Sequence, residues 1–224
     1  MLKHYYDIEQ GSEPWLQLRC GILTASEMKN ILTPTLKKAN NDKSKLFFCE
    51  LLAQRITSYI EPQYINDDIL RGHQDEIYAK EIYNEKYKPI TECGFITNDK
   101  WGFTLGYSPD GLIGDDGLIE IKSRCQKYQI QSILNDEVPE DHIMQIQTGM
   151  LVSERDWVDY VSYCGGLPMY VKRVYADKAV QELILAAAQD FENNMKQSLE
   201  DWKTKSFGLI PTERRVDAGS EIII

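Results

Sequence analysis

Apolar and polar positions change their period along this chain, and the changes mark out its elements. From Lys45 to Ile60, leucine, phenylalanine and isoleucine recur at helical spacing. Gly72 to Tyr87 repeats the pattern, offering Ile77, Ala79, Ile82 and Tyr83 to a core. Upstream, Thr24-Ala25-Ser26-Glu27 fits a capping box in which Thr24 caps and Glu27 reaches back. Thr33 to Asp42 is polar and reads as a loop between helices.

The middle of the chain then shortens its period. Ile90–Ile96, Trp101–Tyr107 and Leu118–Lys122 read as strands. Asn98-Asp99 and Gly114-Asp115-Asp116-Gly117 separate them with residues that accept positive φ. Helices are predicted at Lys127–Leu134 and Glu140–Val152, and strands near Trp157–Tyr163 and Met169–Tyr175. A long helix runs from Asp177, its predicted N-cap, to about Lys203. The tail from Pro211 is a weakly fixed terminus whose last four residues could add an edge strand. The order predicts a mixed α/β (α+β) domain with a central mixed sheet flanked by helices.

Composition narrows the class. A chain of 224 residues suits one domain, with a core over about residues 10–205 and a tail over 206–224. No stretch approaches the roughly 20 apolar residues of a membrane span, and the N-terminus lacks a signal-peptide layout. These features imply a cytoplasmic protein. Cys20, Cys49, Cys93, Cys125 and Cys164 are odd in number and scattered, which argues against disulfide, zinc and iron–sulfur frameworks and for buried free thiols. The net charge of −10 argues against a sequence-reading DNA binder. It argues less against a catalyst that holds cations between carboxylates.

The chemistry concentrates between residues 108 and 122. Alternation in a strand puts Leu118, Glu120 and Lys122 on one face and Ile119 and Ile121 on the other. The intervening turn returns that strand alongside Asp110, while Asp115 and Asp116 should face solvent. Two convergent carboxylates are oxygen ligands for Mg²⁺ or Mn²⁺, and such an ion can activate water and polarise a phosphoryl oxygen. Lys122 either positions the water or stabilises charge on phosphorus. Alone, the pattern also fits a turn aspartate and a surface Glu–Lys pair.

Pro109-Asp110-Gly111 followed by Glu120-Ile121-Lys122 resembles the PD-(D/E)xK nuclease superfamily. Three further segments resemble its lambda-exonuclease-like branch, the phage-type alkaline exonucleases and YqaJ-type viral recombinases. They are Trp15 to Glu27, Arg71-Gly72 to Glu76, and Met144-Gln145-Ile146-Gln147, all in the family's order. The segment after Lys122, Ser123-Arg124-Cys125-Gln126, departs from the pattern in lacking the proline expected after the family's lysine.

The resemblance implies a restriction-endonuclease-like core and a Mg²⁺-dependent 5′→3′ exonuclease acting on ends of double-stranded DNA, with two metal ions and Mn²⁺ as a substitute. Asp110 and Glu120 would ligate metal, with the Ile121 carbonyl as a possible ligand and Glu76 completing the acidic cluster. Lys122 would serve the water, and Gln145, preferred over Gln147, would orient water or substrate. Arg19 and Ser26 would hold a 5′-phosphate, and His142 either joins them or lies at the surface. The blander roles are an Arg19–Glu27 pair, a helix-terminal Ser26, a core Trp15, and packing by Tyr78, Tyr83 and Tyr87. The family further implies a homotrimeric ring, a single-strand annealing partner, and a phage or prophage origin in a bacterial cell. Lys37, Lys38, Lys43 and Lys45 could grip backbone from such a ring. The competing readings are a nicking, repair or CRISPR-adaptation nuclease and a non-catalytic DNA-binding protein of the same fold.

Overall fold

The computed structural model describes residues 1–62 and 67–214, apart from the side chains of 67–69. The suggested edge strand at 221–224 lies outside the described residues. The elements are β1 (Leu2–Tyr5), α1 (Glu13–Arg19), β2 (Leu23–Thr24), a 3-10 helix (Ala25–Asn30), α2 (Asp42–Thr57) and α3 (Asp67–Lys86). Then follow β3 (Phe95–Asn98), β4 (Leu105–Tyr107), β5 (Gly111–Ile113), β6 (Gly117–Ser123), α4 (Gln126–Asn135), α5 (Glu140–Ser153), β7 (Trp157–Tyr163), β8 (Tyr170–Tyr175) and α6 (Lys178–Lys205).

The mixed α/β class holds, but the strands divide into two four-stranded mixed sheets, β1-β3-β4-β2 and β5-β6-β7-β8. Residues 2–5, outside the expected core, pair with β3 as an edge strand. β4 leaves the first sheet, and after Ser108, Pro109 and Asp110 the chain enters the second as β5. Asp110 therefore sits at the corner between the sheets. In the second sheet β6 lies between β5 and β7, antiparallel to one and parallel to the other.

The period-two pattern of β6 is realised on both faces. Leu118 joins a large core with Tyr107, Met144, Ile146, Met150 and Phe191, under α5 and α6. Ile119 and Ile121 join Ala79, Tyr83, Trp157 and Val161 under α3. The sheet is thus covered by helices on both faces, and Glu120 and Asp159 are buried charges within it. In α3, Ala79 and Tyr83 are buried as expected, whereas Ile77 and Ile82 are exposed. Only one stripe of that helix meets the sheet.

Several local expectations change. Thr24 precedes a 3-10 helix and makes no capping bond. Its hydroxyl instead lies 3.5 Å from Arg19 Nη2 and 3.3 Å from Ser26 Oγ, and Glu27 accepts from the Asn30 amide. The true capping box belongs to α2, where Asn41 and Ser44 bond reciprocally. Asp177 caps α6 as predicted. β6 runs on through Ser123, and the Arg124 amide still pairs with Tyr163, so the absent proline leaves a longer strand. The five cysteines are free, but only Cys93 and Cys164 are buried; Cys49 and Cys125 are exposed.

Two ion pairs, each with a buried acid, tie the layers together. Arg55 on α2 grips both oxygens of Glu192 on α6, at 2.7 and 2.6 Å, and also donates to the Gly21 carbonyl. Asp159 on β7 is held by the Arg173 fork at 2.8 Å and by the Tyr83 hydroxyl of α3 at 2.5 Å. Among the described residues, no helix is long and apolar enough to cross a membrane.

Candidate active site

Each carboxylate of the predicted pair is positioned by backbone geometry. Asp110 is placed by the corner between the sheets, where it accepts the Ile121 amide at 2.5 Å through Oδ2. Glu120 follows from the pleat of β6, which aims it under α5. Glu120 Oε1 accepts from Lys122 Nζ at 2.6 Å and from the Gln145 amide at 2.5 Å. Its Oε2 accepts from the Tyr107 hydroxyl at 3.0 Å. Gln147, two residues beyond Gln145, points elsewhere: its amide group bonds the Tyr175 carbonyl and the Asp177 amide, fastening α5 to the start of α6. Asp115 and Asp116 are exposed in the turn.

The electrostatics show a surplus of negative charge. Burial, then repulsion from Glu120 and Glu76, pushes the Asp110 carboxyl well above its ordinary range. Burial works against the charge on Lys122, but Glu120 and Asp110 outweigh it and hold the ammonium above the usual lysine value. Lys122 is therefore a cation and cannot act as a proton acceptor at neutral pH. Tyr107, buried against Glu120, is held far above its usual value and remains a hydroxyl donor.

Glu76 extends from α3 towards this centre, and its side chain is engaged by Lys80 at 3.0 Å. Among the described residues, no three His, Cys, Asp or Glu side chains form a ready-made ligand set. The acidic cluster expected from the sequence is thus an Asp110–Glu120 pair, with Glu76 in its field and bonded elsewhere. Hard oxygen donors with excess negative charge nevertheless fit a divalent cation. Ile121 gives its amide to Asp110 and buries its side chain on the α3 face.

Arg19 does not pair directly with Glu27. Its guanidinium stacks 4.2 Å over Trp15 and donates to Ser108 Oγ at 3.0 Å. Trp15 is half-buried rather than core, and its indole N–H also reaches Ser108 and the Gly94 carbonyl. Two clefts open beside the centre. One of 1180 Å³ is lined by Arg19, Thr24, Glu27, Glu76 and Lys80 among others, and the other, of 600 Å³, by Ser26, Lys29, Lys43, Lys122, His142 and Gln145. Arg19 and Ser26 therefore approach the centre from different clefts, joined through Thr24. Of the predicted lysine cluster, Lys43 lines the second cleft, whereas Lys38 and Lys45 pair with Asp190 and Asp42.

His142 is half-buried in the wall of the second cleft and is not a cation. It stacks on Tyr160 and meets Arg124 Nη1 at 3.2 Å through Nε2. Arginine only donates, so Nε2 accepts and the proton sits on Nδ1. Burial, then Lys122, Arg124 and Lys29, lowers its pKa to about 3. A depressed base in the folded state means that the unfolded chain binds the extra proton. Stability is expected to fall as pH drops from about 6.5 towards 3, and His142→Gln should flatten that part of a pH-resolved urea titration.

Tyr107, Ser108 and Lys80 were not singled out by sequence. Tyr107 and Ser108 lie immediately before Pro109-Asp110, and Lys80 lies one helical turn after Glu76. Tyr107 packs beneath Gly149 of α5, where an added Cβ would stand 2.7 Å from its ring. Crowding of that kind costs about 1–3 kcal/mol, partly offset by about 1 kcal/mol of helix propensity. Gly149→Ala should therefore lose about 0–2 kcal/mol, melting up to roughly 8 °C below the parent, and lose about 10-fold in turnover as Tyr107 shifts against Glu120.

Two carboxylates, a half-buried lysine and a glutamine thus meet where the two helix-covered sheets join. The chain belongs to the YqaJ-like viral recombinase domain family, whose model matches residues 14–156. An alkaline exonuclease from Laribacter hongkongensis is 30% identical, with a TM-score of 0.77 over 87% of this chain and 98% of that one. The same enzyme in complex with dAMP gives 0.78 over the same shares. A phage-related exonuclease from Haemophilus somnus, at 13% identity and a TM-score of 0.54, shares the fold. No curated protein sequence matches the chain.

Proposed function

We propose that this deoxyribonuclease is a Mg²⁺-dependent 5′→3′ exonuclease that digests one strand of linear duplex DNA and serves recombination by single-strand annealing. The observation that carries the reading is Glu120 held at once by Lys122, Gln145 and Tyr107, beside Asp110 at the sheet corner. Kinship with an alkaline exonuclease over most of both chains supports it.

Asp110 and Glu120 would hold the metal, with the Ile121 carbonyl and Glu76 as further oxygen donors. Bound there, one or two ions supply an activated water and neutralise the leaving oxygen. Lys122, fixed as a cation, stabilises negative charge building on the phosphoryl group. Gln145, fastened to Glu120, presents the rest of its amide to water or substrate. Arg19, stacked on Trp15 and steadied by Ser108, offers a planar fork to a terminal phosphate. Ser26 adds a hydroxyl, and neutral His142 can donate only from Nδ1.

A net charge of −10 suits a homotrimeric ring whose basic residues line the channel while acids face outward. A single-strand annealing protein would take the exposed strand, in the cytoplasm of a phage-bearing bacterium. The test is a linear duplex with one 5′-phosphate end and one 5′-hydroxyl end, each strand labelled differently. Loss of the 5′-phosphorylated strand first, only with Mg²⁺ or Mn²⁺, is the expected result. Degradation starting from 3′ ends would refute the polarity.

A further inference from the structure

We propose that Lys80 is a positioning residue that holds Glu76 for the divalent cation, with Glu92 as its own anchor; the inference rests on the metal-site reading above. Lys80 Nζ sits between two carboxylates, 3.0 Å from Glu76 and 3.2 Å from Glu92. Its side chain is 19% exposed, so the ammonium is largely withdrawn from water, whereas Glu92 is 69% exposed. Glu92 directly follows Thr91, which bridges to Leu112 of β5. That segment is fixed to the sheet that carries Glu120.

Lys80 thereby links α3 to the frame of the active site. Glu76 by itself is a long side chain on a helix face, 31% exposed, with several rotamers open to it. Confining it costs conformational entropy. The Glu76-to-Lys80 spacing of four, with the acid N-terminal, is the favourable orientation on a helix. Glu92 draws the ammonium from the other side, so Lys80 restrains Glu76 while sharing its charge with a second carboxylate. Asp110 lies in the field of both Glu76 and Lys80. The three acids and one lysine therefore act as a unit around the centre.

Two physical effects of Lys80 have opposite signs, which makes the proposal testable. By charge alone, removing a cation beside carboxylates should tighten metal binding. By positioning, it should loosen binding, and groups that orient metal ligands are typically worth about 10–100-fold in affinity. The proposal requires the second effect to win.

The experiment is direct Mn²⁺ titration of the DNA-free full chain, with free ion read by electron paramagnetic resonance. Lys80→Ala is expected to weaken Mn²⁺ binding by about 10-fold, and Lys80→Arg to restore it, because the guanidinium fork can span both acids. Glu92→Gln, at an exposed position that tolerates change, should weaken binding by a smaller factor. Glu81→Gln, an exposed acid on the same helix, should not. Unchanged or tighter binding in Lys80→Ala, or in Glu92→Gln should the lysine variant not fold, would overturn the proposal. Wild-type Mn²⁺ affinity in Asp110→Asn would overturn the metal-site reading itself, and the role of Lys80 with it.

Discussion

Replacing Lys122 with alanine is expected to slow phosphodiester cleavage by about 10²–10³-fold, the usual loss when a group aimed at transition-state charge is removed from a site sheltered from water. The argument rests on where the ammonium is held. Its bond to Glu120 and the charge of Asp110 keep it protonated, and its place on β6, two residues from Glu120, is fixed by strand geometry. Because the interaction strengthens only as charge builds on the phosphoryl group, kcat and kcat/KM should fall together. Single-turnover kinetics on saturating linear duplex reads this directly. A fall in affinity alone, with the single-turnover rate preserved, would assign Lys122 to ground-state binding instead.

The largest expected effect on stability comes from a residue far from the chemistry. Asp159 is 5% exposed in its side chain, gripped by Arg173 and by the Tyr83 hydroxyl. Asp159→Ala leaves a partly buried guanidinium and a buried hydroxyl without their acceptor. Leaving the buried Tyr83 hydroxyl unpaired and losing an ion pair whose arginine is open to solvent costs about 2–3 kcal/mol, or roughly 4–12 °C in Tm for a chain of this size. Arg173 can recover part of that by its stacking 3.6 Å over Trp157. Differential scanning calorimetry measures the outcome. Tyr83 lies on α3 two turns beyond Glu76, so Asp159 also sets the seating of the helix that presents Glu76 to the site. A shift below 3 °C would mean that the pair is replaceable by water.

How much of this was legible in the sequence depended on the range of the signal. Period two in Leu118–Lys122 predicted which side chains share a face, because that pattern is local and the strand is buried on both sides. Asp110 and Glu120 emerged for the same reason, being linked by one short turn. β1, β2 and β5 were not legible: with four, two and three residues they are too short to show alternation. Thr24-Ala25-Ser26-Glu27 carried a helix-start signature that tertiary contacts overrode, since Arg19 claims Thr24 and Asn30 claims Glu27. The place of His142 needed Lys122 and Arg124 from the end of β6 and Lys29 from the 3-10 helix brought to α5, which no spacing reveals. Gln145 and Gln147 look alike in sequence. A helix separates them by about 200°, so one faces Glu120 and the other the start of α6.

The account stands most directly on one time course. Purified protein is incubated with linear duplex DNA and with a closed circle of the same sequence, in Mg²⁺ or in EDTA, alongside Asp110→Asn. Steady release of mononucleotides from the linear DNA alone, in Mg²⁺ alone and absent from the variant, is the predicted result. Cutting of the circle, or undiminished release by Asp110→Asn, would contradict it.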